Sequence, residues 1–249
     1  IVLKELFSTC SKKYKSIISK KKFLFKKVII SWANSSDFKK DGSYTDRLLN
    51  INSKNEKDTL WYLIYLDKKL PSKIDLNISL FQIVNKGFNF AHILKLFFNN
   101  ISYLFKDSNY FLSSISTHND IAINVADDFK KFLTKDLKKI IINYEAQPFQ
   151  NEIIRKTKKF NKNIIIIGNV HVSLMAIPTH FIFKDFSPDK IIVNGLDIKF
   201  FFVNYLGWPL KRILLKKSLR FFHKKKDMGN FIFLPNNINS IRRIKNSFD

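Results

Sequence analysis

Three places in the chain carry residues able to do acid–base or polar-recognition chemistry, and each stands directly after an apolar run. Tyr144-Glu145-Ala146-Gln147-Pro148 follows residues 138–143 (KKIIIN). Gly168-Asn169-Val170-His171 follows residues 163–167 (NIIII), and Asn194-Gly195 follows residues 189–193 (DKIIV). Carboxylates and imidazoles are the side chains that most often move protons near neutral pH. If the first two runs are neighbouring parallel strands, Glu145 and His171 open onto one crevice, because ligands of open parallel sheets bind beyond the carboxyl ends of the strands. Each residue also has a plainer reading. Glu145 precedes a helix start, where a negative charge meets the positive end of the helix dipole. His171 fits a hydrogen-bonded structural histidine, and Asn194-Gly195 fits an ordinary turn. Spacing does not make His171 and His180 a metal pair, since Pro178 interrupts any helical register and no third ligand stands nearby, so no metal site is expected.

A sheet is needed to hold these residues. Residues 26–31 (KKVIIS) and 59–66 (TLWYLIYL) supply two further strand signals, short apolar runs with polar flanks. Residues 147–160 read as a helix with Pro148 in its first turn. Residues 196–206 read as an apolar helix stopped by Gly207 and Pro209. A short amphipathic helix is expected over 127–137, another over 86–106, and a basic amphipathic helix or frayed end over 1–27. Strands that are apolar throughout and alternate with helices predict an α/β fold, a Rossmann-like doubly wound parallel sheet, over residues 26–207. Residues 35–58 are rich in Ser, Asp, Asn, Lys and Gly and read as a long loop, a feature that in a compact domain usually serves function. The remaining organisation is a basic segment over 1–25, a basic linker over 208–228, and the start of a second, truncated α/β unit over 229–249, with residues 230–234 (NFIFL) as its first strand. Ile1 in place of Met and the unfinished pattern at Ser247-Phe248-Asp249 read as a fragment at both ends.

Composition narrows the partners. The 249 residues are 45% apolar, enough for a full core. The net charge of +24 invites a nucleic-acid reading, but only six of the 44 basic residues are Arg. Lys, Asn, Ile and Phe are abundant together, as AT-rich codons dictate, whereas nucleic-acid readers lean on Arg for bidentate contacts. No nucleic-acid partner is therefore expected, while peripheral contact with an anionic membrane is compatible with the charge. Residues 211–226 (KRILLKKSLRFFHKKK) suit that contact best, and equally suit a solvated linker helix. Cys10 is the sole cysteine, which excludes a disulfide framework and points to a reducing, cytoplasmic compartment. The chain lacks G-x-G-x-x-G after a strand, G-x-S-x-G and a P-loop, which weighs against dinucleotide enzymes, serine hydrolases and P-loop NTPases. The rival to an enzyme is a non-catalytic basic protein that binds an anionic membrane surface or nucleic acid.

The ordered elements Tyr144-Glu145-Ala146-Gln147-Pro148-Phe149-Gln150-Asn151-Glu152, Gly168-Asn169-Val170-His171 and Pro188-Asp189-Lys190-Ile191-Ile192-Val193-Asn194-Gly195 resemble the bacterial surface-carbohydrate glycosyltransferases of capsule and lipopolysaccharide biosynthesis. That family carries YE-x-QPWE, GYQH and PD-x-I-x-x-NG in this order. Here Phe149 stands for Trp, Gln150 for Glu, and Asn169-Val170 for Tyr-Gln. Trp32, Asp37, Asp41-Gly42-Ser43-Tyr44 and Asp46-Arg47 resemble the family's W…D-x-x-DGSY-x-DR stretch, and Thr59-Leu60-Trp61-Tyr62 fits as well. The resemblance spans residues 26–207. It implies a GT-B-like architecture of two Rossmann-like domains, the first receiving the acceptor and the second holding the nucleotide sugar. It further implies metal-independent, inverting transfer from a nucleotide-sugar co-substrate to a surface polysaccharide or lipid-linked glycan, with no other cofactor. On that reading Glu145 is the general base and His171 its orienting partner or a substrate donor. Asp41 and Asp46 are the next candidates, although Asp41-Gly42 is equally a solvated turn. Trp32, Tyr44, Arg47, Gln147, Asn169, Asn194 and Gly195 are the expected substrate contacts. The expected location is cytoplasmic and peripheral at the inner membrane, and this stretch alone is expected to be inactive, because it lacks most donor contacts.

Overall fold

Strands of three to eight residues, most of them apolar runs, assemble into one eight-stranded sheet in the order β1-β6-β5-β2-β7-β8-β9-β10. The computed structural model describes residues 12–18, 25–56, 58–85, 94, 98, 105, 115–171 and 179–216. The strands are β1 (Lys12–Ile17), β2 (Lys27–Ala33), β5 (Thr59–Tyr65), β6 (Ile78–Asn85), β7 (Lys139–Asn143), β8 (Ile165–Asn169), β9 (Lys190–Val193) and the three-residue β10 (Ile213–Leu215). A small antiparallel pair, β3 (Thr45–Asp46) with β4 (Ile51–Asn52), stands apart from the sheet. The large sheet is parallel except at its edge, where β1 runs antiparallel to β6. Every residue of β5 is buried, which is why it reads as an unbroken apolar run rather than an alternating one.

Three helices lie on one face. They are α1 (Thr117–Phe129), α2 (Pro148–Phe160) and α3 (Leu196–Asn204). Val125 and Phe129 of α1, Ile153 and Ile154 of α2, and Ile198 and Phe202 of α3 bury against Val28, Ile30, Tyr62, Ile142, Ile166 and Ile191 of the strands. Local signals begin each helix. The Ser116 hydroxyl accepts from the Asn119 N–H at the start of α1. Pro148 occupies the first turn of α2, where its missing N–H costs nothing. On the opposite face, among the described residues, no α-helix connects β2 to β5, only 3-10 turns at Ser35–Asp37 and Ser53–Asn55. Tyr44 and Leu49 from the intervening segment pack there against Ile29, Trp61, Leu63 and Leu80.

The chain therefore leaves β2 in one direction, through β5 to β6, and then crosses back to β7 and continues to β10. The order reverses between β2 and β7, the place where doubly wound sheets bind ligands. The α/β, Rossmann-like class expected from the sequence stands, but several elements differ. Residues 12–17 form an edge strand, not a helix, with Tyr14 stacked on Phe81 at 5.6 Å. The short helix expected at 127–137 lies earlier, over α1, followed by a 3-10 turn at Lys130–Phe132. Strand β6 lies in an apolar stretch for which the sequence predicts no strand. The sheet also runs past both expected limits of the 26–207 unit, since β1 precedes it and β10, inside the expected linker, pairs with β9. The helix expected over 86–106 lies largely, and the strand at 230–234 wholly, outside the described residues. Among the described residues no helix is long and apolar enough to cross a membrane.

Candidate active site at the strand ends

β7 and β8 pair in parallel with Asn143 opposite Asn169. Two residues further along each strand stand Glu145 and His171. The register therefore brings them together, and Glu145 Oε1 lies 3.1 Å from His171 Nε2. Gln147 donates its Nε2 to the other oxygen, Oε2, at 2.7 Å. The hydrogen bond from His171, with help from Gln147, holds the Glu145 carboxyl below its ordinary value despite partial burial. His171 Nδ1 is shielded from solvent and has no hydrogen-bond partner among the described residues. An imidazole held by a carboxylate through one nitrogen, with the other nitrogen unpaired, is the arrangement by which a histidine is oriented to take a proton.

The turn that presents Glu145 is tightly specified. Ala146 adopts φ 55°, a left-handed conformation that costs a non-glycine residue about 1 kcal/mol or more. The buried Gln150 amide offsets this by closing the turn. Its Oε1 accepts from the Glu145 N–H at 2.9 Å and the Gln147 N–H at 3.1 Å, and its Nε2 donates to the Asn143 carbonyl at 2.6 Å. A carboxylate at 150 could accept both N–H groups but could not make the third bond. Beneath the turn, the Tyr144 side chain and Pro188 close on Gly168, where a Cβ would come within 2.9 Å and 2.8 Å of them. The three sequence elements singled out above thus meet at one packing contact.

A second group of side chains lines a cleft of about 210 Å³ at the end of β2, formed by Ser31, Trp32, Asn34, Asp37, Tyr44, Asp46, Arg47 and Leu48. Pockets for drug-sized ligands measure about 300–1,000 Å³, so this cleft suits something smaller. Trp32 forms one wall, braced edge-on by Phe149 at 5.3 Å between ring centres. Arg47 pairs with Asp37 (Nε to Oδ1 2.7 Å) and keeps much of its side chain exposed. Asn143 connects the cleft to the strand ends beside it. Its Nδ2 lies 2.9 Å from Ser31 Oγ and 3.3 Å from Asp46 Oδ2, and its Oδ1 accepts from Asn169 Nδ2 at 3.1 Å.

Several expected site residues also have structural work. Asp46 is buried, and its Oδ1 accepts the Leu48 and Leu49 N–H groups at 2.8 and 2.7 Å while Oδ2 faces Tyr44 and Asn143. It organises the loop that walls the cleft. The Tyr44 hydroxyl is likewise committed, donating to the Trp32 carbonyl at 2.9 Å, and burial beside Asp46 pushes its phenol pKa up. Asp41 does not line the cleft. Lys54 at 2.7 Å and both Ser43 donors hold its carboxyl far below the usual range, so it is a poor proton acceptor and closes its own Asp41-Gly42 turn. Asn194 reaches the Val170 carbonyl at 3.4 Å, beside His171, and Gly195 begins α3 with room for the Asp197 carboxylate. Asn143 and Gln150 were not singled out from the sequence as site residues. The signal for Asn143 was present, because three of the apolar runs end at an Asn: 143, 169 and 194. Among the described residues no three His, Cys, Asp or Glu side chains converge as a metal ion would require.

The chain matches no family model, no curated protein and no solved structure.

Proposed function

We propose that the protein is a glycosyltransferase of GT-B-like design, which moves a sugar from a nucleotide-sugar donor to a surface polysaccharide or lipid-linked acceptor. The observation that carries this reading is the Glu145–His171 pair at the carboxyl ends of adjoining parallel strands, with His171 Nδ1 left without a partner among the described residues. The aromatic-walled cleft at the switch point supports it as a seat for one acceptor sugar. In the proposed step an acceptor hydroxyl oxygen bonds to the anomeric carbon of the donor. The bond from that carbon to the diphosphate oxygen breaks, and the diphosphate leaves with the electron pair. The hydroxyl proton passes to His171 Nδ1, and Glu145 stabilises the imidazolium through Nε2–H. Both Glu145 oxygens already accept hydrogen bonds, which favours Glu145 as the orienting group and His171 as the base, the reverse of the roles expected from the sequence. One displacement with one base inverts the anomeric centre.

The test is release of nucleoside diphosphate from a panel of nucleotide sugars by the protein in the presence of lipid-linked glycan. His171→Asn is expected to lower kcat by about 100-fold or more while the melting temperature is kept. Unchanged turnover in that variant would remove His171 from the reaction.

A further inference from the structure

The outward side of α3 and the turns flanking it form an apolar surface with basic residues at its margin. Ile198 and Phe202 take the inner side of the helix into the core. Leu196 and Phe200, one turn apart on the other side, are 71% and 58% exposed, and Leu210 beside them is 60% exposed. Together with Asp197, Lys199, Val203 and Asn204 they line a shallow groove of about 510 Å³. Phe183 and Tyr205, at 70% and 71%, lie on the neighbouring turns. A concentration of exposed aromatic and aliphatic side chains marks an interaction surface.

We propose that this surface docks on an anionic lipid bilayer, with Leu196, Phe200 and Leu210 entering the headgroup–acyl boundary and Lys184, Lys199 and Lys211 meeting the headgroups. Charge complementarity favours lipid over a second copy of this chain, because the chain carries +24 overall and a second copy would present the same basic margin. Position favours it too. Leu196 directly follows Asn194-Gly195, whose Asn194 side chain contacts the Val170 carbonyl next to His171. The apolar surface thus starts at the rim of the candidate site, so a lipid-linked acceptor held in the bilayer would present its sugar there. That purpose rests on the glycosyltransferase reading; docking itself does not, and it is measured without donor or acceptor.

The experiment is co-sedimentation of the full chain with vesicles of phosphatidylcholine alone, or with about one part phosphatidylglycerol in four, at low and high salt. Binding is expected to the anionic vesicles only and to weaken with salt. Phe200→Ser with Leu210→Ser should lower partitioning by about 10-fold or more. Lys199→Gln with Lys211→Gln should lower it by about fivefold per lysine. Both positions of the first pair are exposed, so folding is expected to survive, and circular dichroism verifies this. Equal binding by wild type and the Phe200/Leu210 variant overturns the proposal. So does a wild type that ignores anionic vesicles, whether the same variant then loses melting temperature, which points to cover by the chain itself, or abolishes a concentration-dependent dimer, which points to a second copy. A protein that binds vesicles through this face yet transfers no sugar overturns only the enzymatic reading.

Discussion

Gly168→Ala probes the contact on which the candidate site is built. A Cβ at 168 would lie 2.8 Å from Pro188 Cγ and 2.9 Å from Tyr144 Cβ. Carbon atoms pack best at about 3.5–4.0 Å, so both contacts overlap by most of an ångström. Neither neighbour can rotate away, since one is a pyrrolidine ring and the other is a β-carbon fixed to the adjoining strand end. Overpacking a core generally costs about 1–3 kcal/mol, and rigid neighbours put this site at the upper end, about 3 kcal/mol. For a chain of this length that corresponds to a fall in Tm of roughly 6–12 °C. Urea unfolding followed by circular dichroism gives the free energy directly. Adding Pro188→Ala removes one overlap and leaves the Tyr144 overlap, so the double variant should recover about half of the loss. A Gly168→Ala protein within about 1 kcal/mol of wild type would refute the packing described here.

Two further outcomes follow from the same turn. Gln150→Glu should destabilise by about 1–3 kcal/mol at neutral pH, because the carboxylate cannot donate to the buried Asn143 carbonyl, and the loss should shrink as acid protonates the new side chain; a neutral-pH urea midpoint equal to wild type contradicts this. Glu145 has a folded pKa depressed from its ordinary 4.5, so the stability it contributes is present above that value and is lost as the pH falls through the lower folded value. The stability gap between wild type and Glu145→Gln should therefore close on acidification below about pH 4.5, and a gap that stays constant or widens contradicts the assignment.

Much of this arrangement was legible in the sequence, for identifiable reasons. β2 and β5 are buried on both sides, and β7, β8 and β9 bury one face while carrying isoleucines on the other, so each announces itself as a short apolar run, and Pro148 marks the start of α2. The Glu145–His171 contact followed from one assumption, that β7 and β8 are parallel neighbours, because a parallel register carries equal offsets past the strand ends to the same place. β1 was misread because its lysines suggested a basic helix, although Lys13 and Lys15 alternate with the part-buried Tyr14 and Ser16 at strand period. β6 opens a long greasy stretch over residues 78–105, where apolar character alone does not separate strand from helix. The start of α1 was missed because its cap, Ser116, precedes a polar first turn rather than an apolar one. The commitments of Asp41, Asp46 and Tyr44 were not legible, since each depends on partners that the fold brings from elsewhere in the loop or from neighbouring strands. Asp46 receives Asn143 from a strand 97 residues away.

The central claim is that Glu145 and His171 act as one proton-accepting unit, and a double-mutant cycle on kcat measures this most directly. Glu145→Gln, His171→Asn and the double variant are compared for nucleoside diphosphate release with the same donor and acceptor. If the pair is one unit, the double variant is no slower than the slower single variant. Losses that multiply, or a Glu145→Gln enzyme as fast as wild type, would show that the contact between them does not serve the reaction.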